Sequence, residues 1–118
     1  MAAHNELGKK GEELAVAWLI QRGYELLFQN WRHSHLELDI IASKEEVLHF
    51  IEVKSRTNQK FGYPEESVSD QKMQHLLDAA EEFVYQHPQW KYIQFDILSI
   101  CLDKLGKAEY YLIEDIYL

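Results

Sequence analysis

Cysteine is almost absent, since Cys101 is the single thiol among 118 residues. One cysteine excludes an internal disulfide and a cysteine-rich zinc site. Long apolar runs are also lacking: the longest, Leu14 to Ile20, falls far short of the ~20 residues that span a bilayer. No signal segment, repeat or Pro/Gly-rich linker stands out, so we expect one cytoplasmic domain over residues 1–118, with no membrane partner.

Positive charge is in short supply, with 12 Lys and Arg against 20 Asp and Glu and a net charge of -8. This balance excludes a protein that coats nucleic acid by charge alone, because such binding needs clustered Lys and Arg. The deficit is uneven: residues 61–118 carry eleven acidic and four basic residues, whereas residues 1–60 carry nine and eight. An apolar content of 47% is typical of a folded globular domain.

Hydrophobic periodicity predicts two helices and five strands in the order αβββαββ. Apolar residues at helical spacing predict helices from about Asn5 to Gly23 and from about Ser69 to His87, and a loop over Thr57–Ser67 separates the second helix from the strand before it. We therefore expect an α/β domain with a mixed central sheet of about five strands flanked by helices. The strands are expected at Tyr24–Gln29, Leu36–Ala42, Val47–Arg56, Tyr92–Leu102 and Glu109–Ile116.

Three charged residues lie in strands that are otherwise apolar: Asp39 in the second, and Glu52 and Lys54 in the third. A buried charge is costly unless it is paired or binds a metal. If the two strands are neighbours, these side chains converge at one end of the sheet, and Glu12 at the margin of the first helix's apolar stripe adds a third carboxylate. Three carboxylates beside one ammonium suit Mg²⁺ or Mn²⁺ and phosphodiester hydrolysis. A structural salt bridge at a sheet edge is the alternative.

Histidines offer a second candidate metal site. His33, His35, Glu37 and Asp39 alternate, so on a regular strand they would share one face and form a mixed site; solvated side chains at a strand entrance are the alternative. In the later strands, His49 alternates with apolar residues and is expected in the core or an interface. Asp96 is expected to be a hydrogen-bonded structural group. Glu37 is expected to face solvent.

Motifs distributed over residues 8 to 100 add to these expectations. They are Gly8–Ala15 (GKKGEELA), Gly23–Tyr24, Asn30–Arg32, Glu37–Ile41, Ile51–Arg56, Phe61–Glu65, Val68, Lys72 and Phe95–Asp96. In these motifs and their order, the chain resembles the YraN-like family of small bacterial proteins, which is assigned by similarity to the restriction-endonuclease-like PD-(D/E)xK nuclease superfamily.

The resemblance implies a restriction-endonuclease-like fold and assigns roles to matching residues. Asp39, Glu52 and Lys54 match the metal-binding and catalytic triad of the superfamily. Glu12 matches a helix glutamate of the Holliday-junction-resolvase-like branch. One departure is Leu36, which stands where the family usually has glycine. If that glycine lets a phosphate approach the backbone, Leu36 hinders this approach; if the glycine only eases a turn, little is lost.

We therefore expect an endonuclease-like protein that depends on Mg²⁺ or Mn²⁺ and hydrolyses DNA, with branched or single-stranded DNA in repair or recombination as the candidate substrates. Asp39 and Glu52 would hold the metal with the backbone carbonyl of Val53, while Lys54 would position the attacking water and Glu12 would complete the outer ligands.

Arg32 and Arg56 are expected to contact nucleic acid; scattered surface charge is the alternative for them. By the resemblance, Lys72 matches a further basic position of the family, which implies a contact with phosphate. An enzyme that cuts two strands is expected to act as a homodimer. The rival hypothesis is a non-catalytic module that keeps the fold and binds nucleic acid or a protein.

Overall fold

The chain folds as a five-stranded sheet with one helix packed on each face. The computed structural model describes residues 2–57 and 69–116. In these ranges, neither helix combines the length and the apolar character needed to cross a bilayer. The elements are α1 (Ala2–Gln21), β1 (Glu25–His33), β2 (Leu36–Lys44), β3 (Val47–Arg56), α2 (Asp70–Gln86), β4 (Ile93–Leu102) and β5 (Ala108–Ile113).

The order of the strands in the sheet follows their order in the chain, β1-β2-β3-β4-β5. Neighbouring strands are antiparallel except β3 and β4, which are parallel. A parallel pair needs a crossover connection, and α2 provides it. This arrangement confirms the predicted α/β class and the αβββαββ order, and it is consistent with the restriction-endonuclease-like fold that the resemblance implies.

Each face of the sheet has its own hydrophobic cluster. On the α2 face, the ring of Phe83 meets that of Phe50 edge to face, with the ring centroids 5.9 Å apart. On the α1 face, Ala15 and Leu19 pack against Ile51. Full burial of a Phe, Leu or Ile side chain contributes roughly 1.5–3 kcal/mol, so these two clusters hold both helices on the sheet. The other buried members are Leu38, Ile41, Leu48, Leu76, Ala79, Ala80 and Phe95 on the α2 face, and Tyr24, Ile40, Ala42, Leu98 and Ile100 on the α1 face.

The helix ends agree with the prediction for α2 and differ for α1. Ser69 caps α2, since its Oγ accepts a hydrogen bond from the backbone N–H of Lys72 at 3.1 Å. The expected start of α1 at Asn5 is wrong, because the helix begins at Ala2. Alanine is the best helix former, so Ala2 and Ala3 extend the helix before the apolar stripe begins.

Two strands have ends that the apolar pattern did not locate. β1 continues to His33, because its ladder with β2 extends through the polar residues that interrupt its apolar pattern. β5 ends at Ile113, and Asp115 turns away in a left-handed conformation with φ 56° while its N–H donates to Asp96 Oδ1. The loop predicted at Thr57–Ser67 lies outside the described residues, apart from Thr57.

Both β1 and β2 change face at one shared position. Phe28 and Trp31 both pack on Phe83, although residues three apart on a regular strand point to opposite faces. Likewise Leu38 and Ile41 both lie in the α2-face cluster. The residues between them, at the centre of the hairpin, therefore break the alternation in both strands.

A close approach of α1 to β3 depends on Gly11. A Cβ atom placed on this residue would lie 1.7 Å from Ser55 Oγ and 2.9 Å from Ser55 Cβ. No side chain fits at that distance, so glycine lets the helix backbone pack directly against the strand. Because Glu12 follows Gly11 in the helix, this contact also sets the position of the Glu12 carboxylate.

We predict that Gly11→Ala destabilises the protein by about 1–3 kcal/mol through overpacking. The matched control is Gly8→Ala on the same helix, where the added Cβ has no atom of another described element within 4 Å. That substitution should stabilise the fold by about 0.5–1 kcal/mol, since alanine is the better helix former. Urea unfolding of both variants measures the difference, and an equal gain in stability for both would show that α1 does not approach β3 this closely.

Candidate metal centre

The site lies where β2 and β3 separate. Their ladder runs from Lys44 opposite Val47 to Ile40 opposite Ile51, and the next residues on the two strands are Asp39 and Glu52. Beyond this point the two backbones no longer pair. A β-strand N–H that loses its partner must find another acceptor.

Asp39 supplies that acceptor. Its Oδ2 accepts a hydrogen bond from the backbone N–H of Val53 at 2.9 Å. The side chain of one strand thus replaces the backbone carbonyl that the ladder would have offered. This hydrogen bond fixes the orientation of the Asp39 carboxylate in the gap between the strands.

Glu52 is buried on the α2 face, as the alternation of β3 predicts. It is 7% exposed, its carboxyl group hydrogen-bonds that of Asp39, and its Oε1 lies 3.4 Å from Lys72 Nζ on α2. Two carboxyl groups can share a hydrogen bond only when one of them carries the proton. The contact with Asp39 thus favours the protonated form of Glu52 and raises its pKa, whereas the ammonium of Lys72 favours the ionised form.

Glu12 reaches the same gap from the opposite face. It is partly buried while Glu13 is exposed, as the helical spacing predicts. Its carboxylate lies near enough to Asp39 to be repelled by it, and the side-chain amide of Asn30 hydrogen-bonds to it. Glu12 Oε1 is buried and has no hydrogen-bond partner among the described residues. Asp39 is therefore the residue that both of the other carboxylates meet.

The predicted basic residues are placed differently from one another. Lys54, partly buried on the α2 face, lies close enough to Glu52 to lower the pKa of that carboxyl group. Arg32 is exposed and forms an ion pair with Glu37 at 3.1 Å. Arg56 is partly buried at the end of β3. The structure thus brings Lys54 and Lys72 to the carboxylates and places Arg32 in a surface ion pair.

The prediction of a mixed metal site at His33, His35, Glu37 and Asp39 is wrong. His33 ends β1, and a turn separates it from β2, so the four residues do not alternate on one strand. His33 instead contacts Glu82 on α2, with His33 Nε2 and Glu82 Oε2 3.8 Å apart. His35 is exposed, and Glu37 is exposed in its ion pair with Arg32.

His49 and Asp96 form a buried structural pair, as expected. His49 Nδ1 and Asp96 Oδ2 lie 2.7 Å apart, and Asp96 Oδ1 also accepts from Gln94 Nε2 and from the N–H of Asp115. These hydrogen bonds satisfy the carboxylate and tie the C-terminal segment to β4.

Comparison with known proteins identifies the family. The model of the "Uncharacterised protein family UPF0102" matches residues 11–100. The chain belongs to the UPF0102 family. A UPF0102 protein of Bacteroides thetaiotaomicron is 44% identical over 100 residues, which cover 85% of this chain and 83% of the relative. A UPF0102 protein of Flavobacterium psychrophilum is 43% identical over 85% of this chain and 84% of its own length.

A UPF0102 protein of Caldicellulosiruptor bescii is 44% identical over 83% of this chain and 84% of its own length. These matches confirm the YraN-like family that the sequence motifs indicate. The position at which this UPF0102 chain departs from the family pattern, Leu36, begins β2 and packs against the α2-face cluster.

The electrostatics of the site follow from crowding of the carboxylates. Burial, repulsion from Asp39 and the hydrogen bond with Asp39 together raise the pKa of Glu52 to about 7, against the opposing charges of Lys72 and Lys54. Burial likewise raises the pKa of Glu12, and so does repulsion from Asp39, while the hydrogen bond from Asn30 lowers it. Without a metal, the site therefore carries less negative charge near neutral pH than three free carboxylates would.

The donor set fits a hard divalent cation. Within the described ranges, no three His, Cys, Asp or Glu side chains form a ready-made metal cage. Mg²⁺ does not need one, because it usually keeps several waters and takes one or two carboxylates from the protein. Asp39 and Glu52 provide those two, both with oxygen donors. The buried, unpartnered Oε1 of Glu12 is a further acceptor that hydrogen bonds to cation-bound waters would satisfy.

Two residues that position the site were not recognised from the sequence as functional. Asn30 belongs to a family motif, but its hydrogen bond to Glu12 depends on a long-range contact between α1 and β1. Gly11 occurs in the first motif, and only the packing against Ser55 explains the glycine. The sequence signal at Asn30 is the interruption of the apolar pattern of the strand, and this interruption was interpreted as the end of the strand.

We predict that metal-free stability depends on pH through Glu52. Its pKa is about 7 in the folded state against a reference value of 4.5, so the folded state binds this proton more tightly than the unfolded state. The resulting stabilisation is complete below about pH 4.5 and is lost as pH rises through 7. Glu52→Gln lacks this titration. From pH 5 to pH 8, the free energy of unfolding of the wild type should therefore fall relative to that of Glu52→Gln by at least about 1 kcal/mol.

Urea unfolding at several pH values in EDTA tests this, with Glu13→Gln at an exposed position of α1 as the control. Lys72→Met should move the wild-type transition to higher pH, because Lys72 lowers the pKa of Glu52. A stability difference between Glu52→Gln and the wild type that stays constant with pH would contradict the prediction.

Proposed function

We propose that this protein is a metal-dependent nuclease that hydrolyses phosphodiester bonds in DNA. The observation that carries the proposal is the contact between the Asp39 and Glu52 carboxyl groups where β2 and β3 separate. Glu12 lies close enough to Asp39, and Lys54 close enough to Glu52, for these charges to shift the pKa values of Glu12 and Glu52. Carboxylates at ~4 Å repel each other by roughly 4 kcal/mol at an effective dielectric constant of 20. Such an arrangement is destabilising for the fold alone, and it suits a site for a divalent cation.

In this proposal, Asp39, Glu52 and the backbone carbonyl of Val53 hold Mg²⁺ or Mn²⁺. The N–H of Val53 already fixes one oxygen of Asp39, so little side-chain freedom is lost on binding. When bound, the cation supplies a Lewis acid for the phosphate and a lower pKa for the attacking water. Glu12 accepts hydrogen bonds from waters at the edge of the site.

The two lysines have distinct roles. Lys54 follows Glu52 by one strand period on the same face, and its ammonium orients the attacking water and offsets negative charge that develops on the phosphate. Lys72 pairs with Glu52 when no cation is present. Once a cation neutralises Glu52, the Lys72 ammonium becomes available to a phosphate of the substrate.

DNA binding in this proposal depends on the cation and on salt. The protein carries a net charge of -8, so the approach of DNA is unfavourable until the carboxylates are neutralised. Arg56 at the end of β3 lies one strand period beyond Lys54 and extends the cationic side of the site. The charge of Arg32 is compensated by Glu37 in a surface ion pair. Branched and single-stranded DNA of repair or recombination are the proposed substrates.

A cleavage assay tests the proposal. Labelled linear, flapped and four-way-junction DNA is incubated with the protein in Mg²⁺, Mn²⁺ or EDTA. We expect cleavage that requires the metal, and a loss of at least about 100-fold in rate in Asp39→Asn and Lys54→Ala. The asparagine side chain in Asp39→Asn keeps an oxygen that accepts from the N–H of Val53, so this variant should stay folded.

The control variants change the same residue types at exposed positions outside the site. Asp78→Asn on α2 and Lys91→Ala before β4 should cut at the wild-type rate. Cleavage that persists in EDTA, or in Asp39→Asn at the wild-type rate, would contradict the proposal.

A non-catalytic module is the second candidate, and one observation favours it. The Asp39–Glu52 hydrogen bond and the Lys72–Glu52 ion pair compensate much of the charge without a metal. In this case the fold would bind nucleic acid or a protein partner. DNA binding without cleavage, unaffected by Asp39→Asn, supports this candidate in the same assay.

A further inference from the structure

Asn30 lies directly across the hairpin from the central carboxylate. Its neighbours Gln29 and Trp31 pair with Ile40 and Leu38 on β2, so Asn30 stands opposite Asp39. This is also the position at which both strands change face.

The backbone of Asn30 is in the left-handed region, with φ 54°. Asparagine tolerates this conformation better than almost any residue except glycine. The conformation turns the strand so that Trp31 packs on Phe83 of α2. Asn30 itself therefore faces away from α2, toward the side from which α1 approaches.

The side-chain amide of Asn30 reaches the carboxylate of Glu12 across that gap. Only one polar partner is evident for this carboxylate in the described part of the chain, because its Oε1 is buried with none. Gly11 fixes the helix against Ser55, so the backbone on either side of the hydrogen bond is held in place. Asn30 thus makes the two carboxylate oxygens of Glu12 different, because one oxygen accepts the hydrogen bond from the amide and the other does not.

Glycine would satisfy the backbone of this position but not the site. Glycine adopts φ 54° at no steric cost, and β-branched or long side chains would be strained there. Asparagine combines tolerance of the left-handed conformation with an amide that donates to a carboxylate. The contact with Glu12 explains why an amide is present at a turn-like position inside a strand.

We infer that Asn30 is a positioning residue, which directs the Glu12 carboxylate toward Asp39 so that its unpartnered oxygen completes the outer sphere of a divalent cation. The inference rests on the proposed metal site. It adds that Asn30 affects cation affinity through Glu12 alone, in the manner of outer-sphere partners of other metal sites.

A double-mutant cycle with Mn²⁺ as the probe tests this. The affinity for MnCl₂ is measured by isothermal titration calorimetry, without DNA, for the wild type, Asn30→Gly, Glu12→Ala and the double variant. Asn30→Gly keeps the left-handed backbone and removes the amide. Ser34→Gly is the control, since Ser34 is exposed in the β1–β2 turn with a similar φ of 57°.

We expect Asn30→Gly to weaken Mn²⁺ binding about tenfold and Ser34→Gly to leave it unchanged. In the double variant, binding should be no weaker than in Glu12→Ala, because Asn30 has then no carboxylate to direct. Urea unfolding confirms that each variant is folded.

Three results would overturn the inference. If the wild type binds Mn²⁺ and Asn30→Gly binds it equally well, Asn30 has no positioning role, although the metal site stands. If the losses of the two single variants multiply in the double variant, Asn30 does not act through Glu12. If the wild type binds no Mn²⁺, the proposed metal site fails and the inference fails with it.

Discussion

The hydrogen bond from the N–H of Val53 to Asp39 is the interaction on which the site depends. It satisfies a strand N–H at the point where β2 and β3 stop pairing, and it allows the strands to separate without leaving a buried donor unpaired. In the gap that results, the Asp39 carboxylate lies near Glu52 on the α2 face and near Glu12 on the α1 face. A ladder that continued through this position would have kept those two carboxylates apart on opposite sides of the sheet.

The arrangement is unfavourable for the folded chain by itself. The raised pKa of Glu52, about 7, leaves this carboxyl group partly protonated near neutral pH, and together with the ammonium of Lys72 it reduces the repulsion. Sites that store such repulsion are characteristic of function, because a ligand then relieves it on binding. In the proposed function the cation takes the place of the proton and releases the lysine, so metal affinity, pH and the approach of phosphate are linked through Glu52.

The sequence was sufficient for much of the fold and for the members of the carboxylate set. Strict alternation located β3 at Val47–Arg56 as observed, and helical spacing placed Glu12 rather than Glu13 toward the sheet. Local patterns could not show the left-handed Asn30, because a polar residue in a strand also signals a strand end. Pairing of Lys72 with Glu52 and contact of Gly11 with Ser55 involve α2 and α1, and distances between elements are not encoded in periodicity.

Anomalous diffraction from crystals of the protein grown or soaked in MnCl₂ would test the central claim most directly. The account predicts a peak for Mn²⁺ in the gap between β2 and β3, within coordination distance of carboxylate oxygens of Asp39 and Glu52, with Lys72 no longer paired to Glu52. Crystals of the Asp39→Asn variant prepared in the same way should show no peak at this position. A wild-type structure at high Mn²⁺ with the Lys72–Glu52 pair intact and no peak in the gap would contradict it.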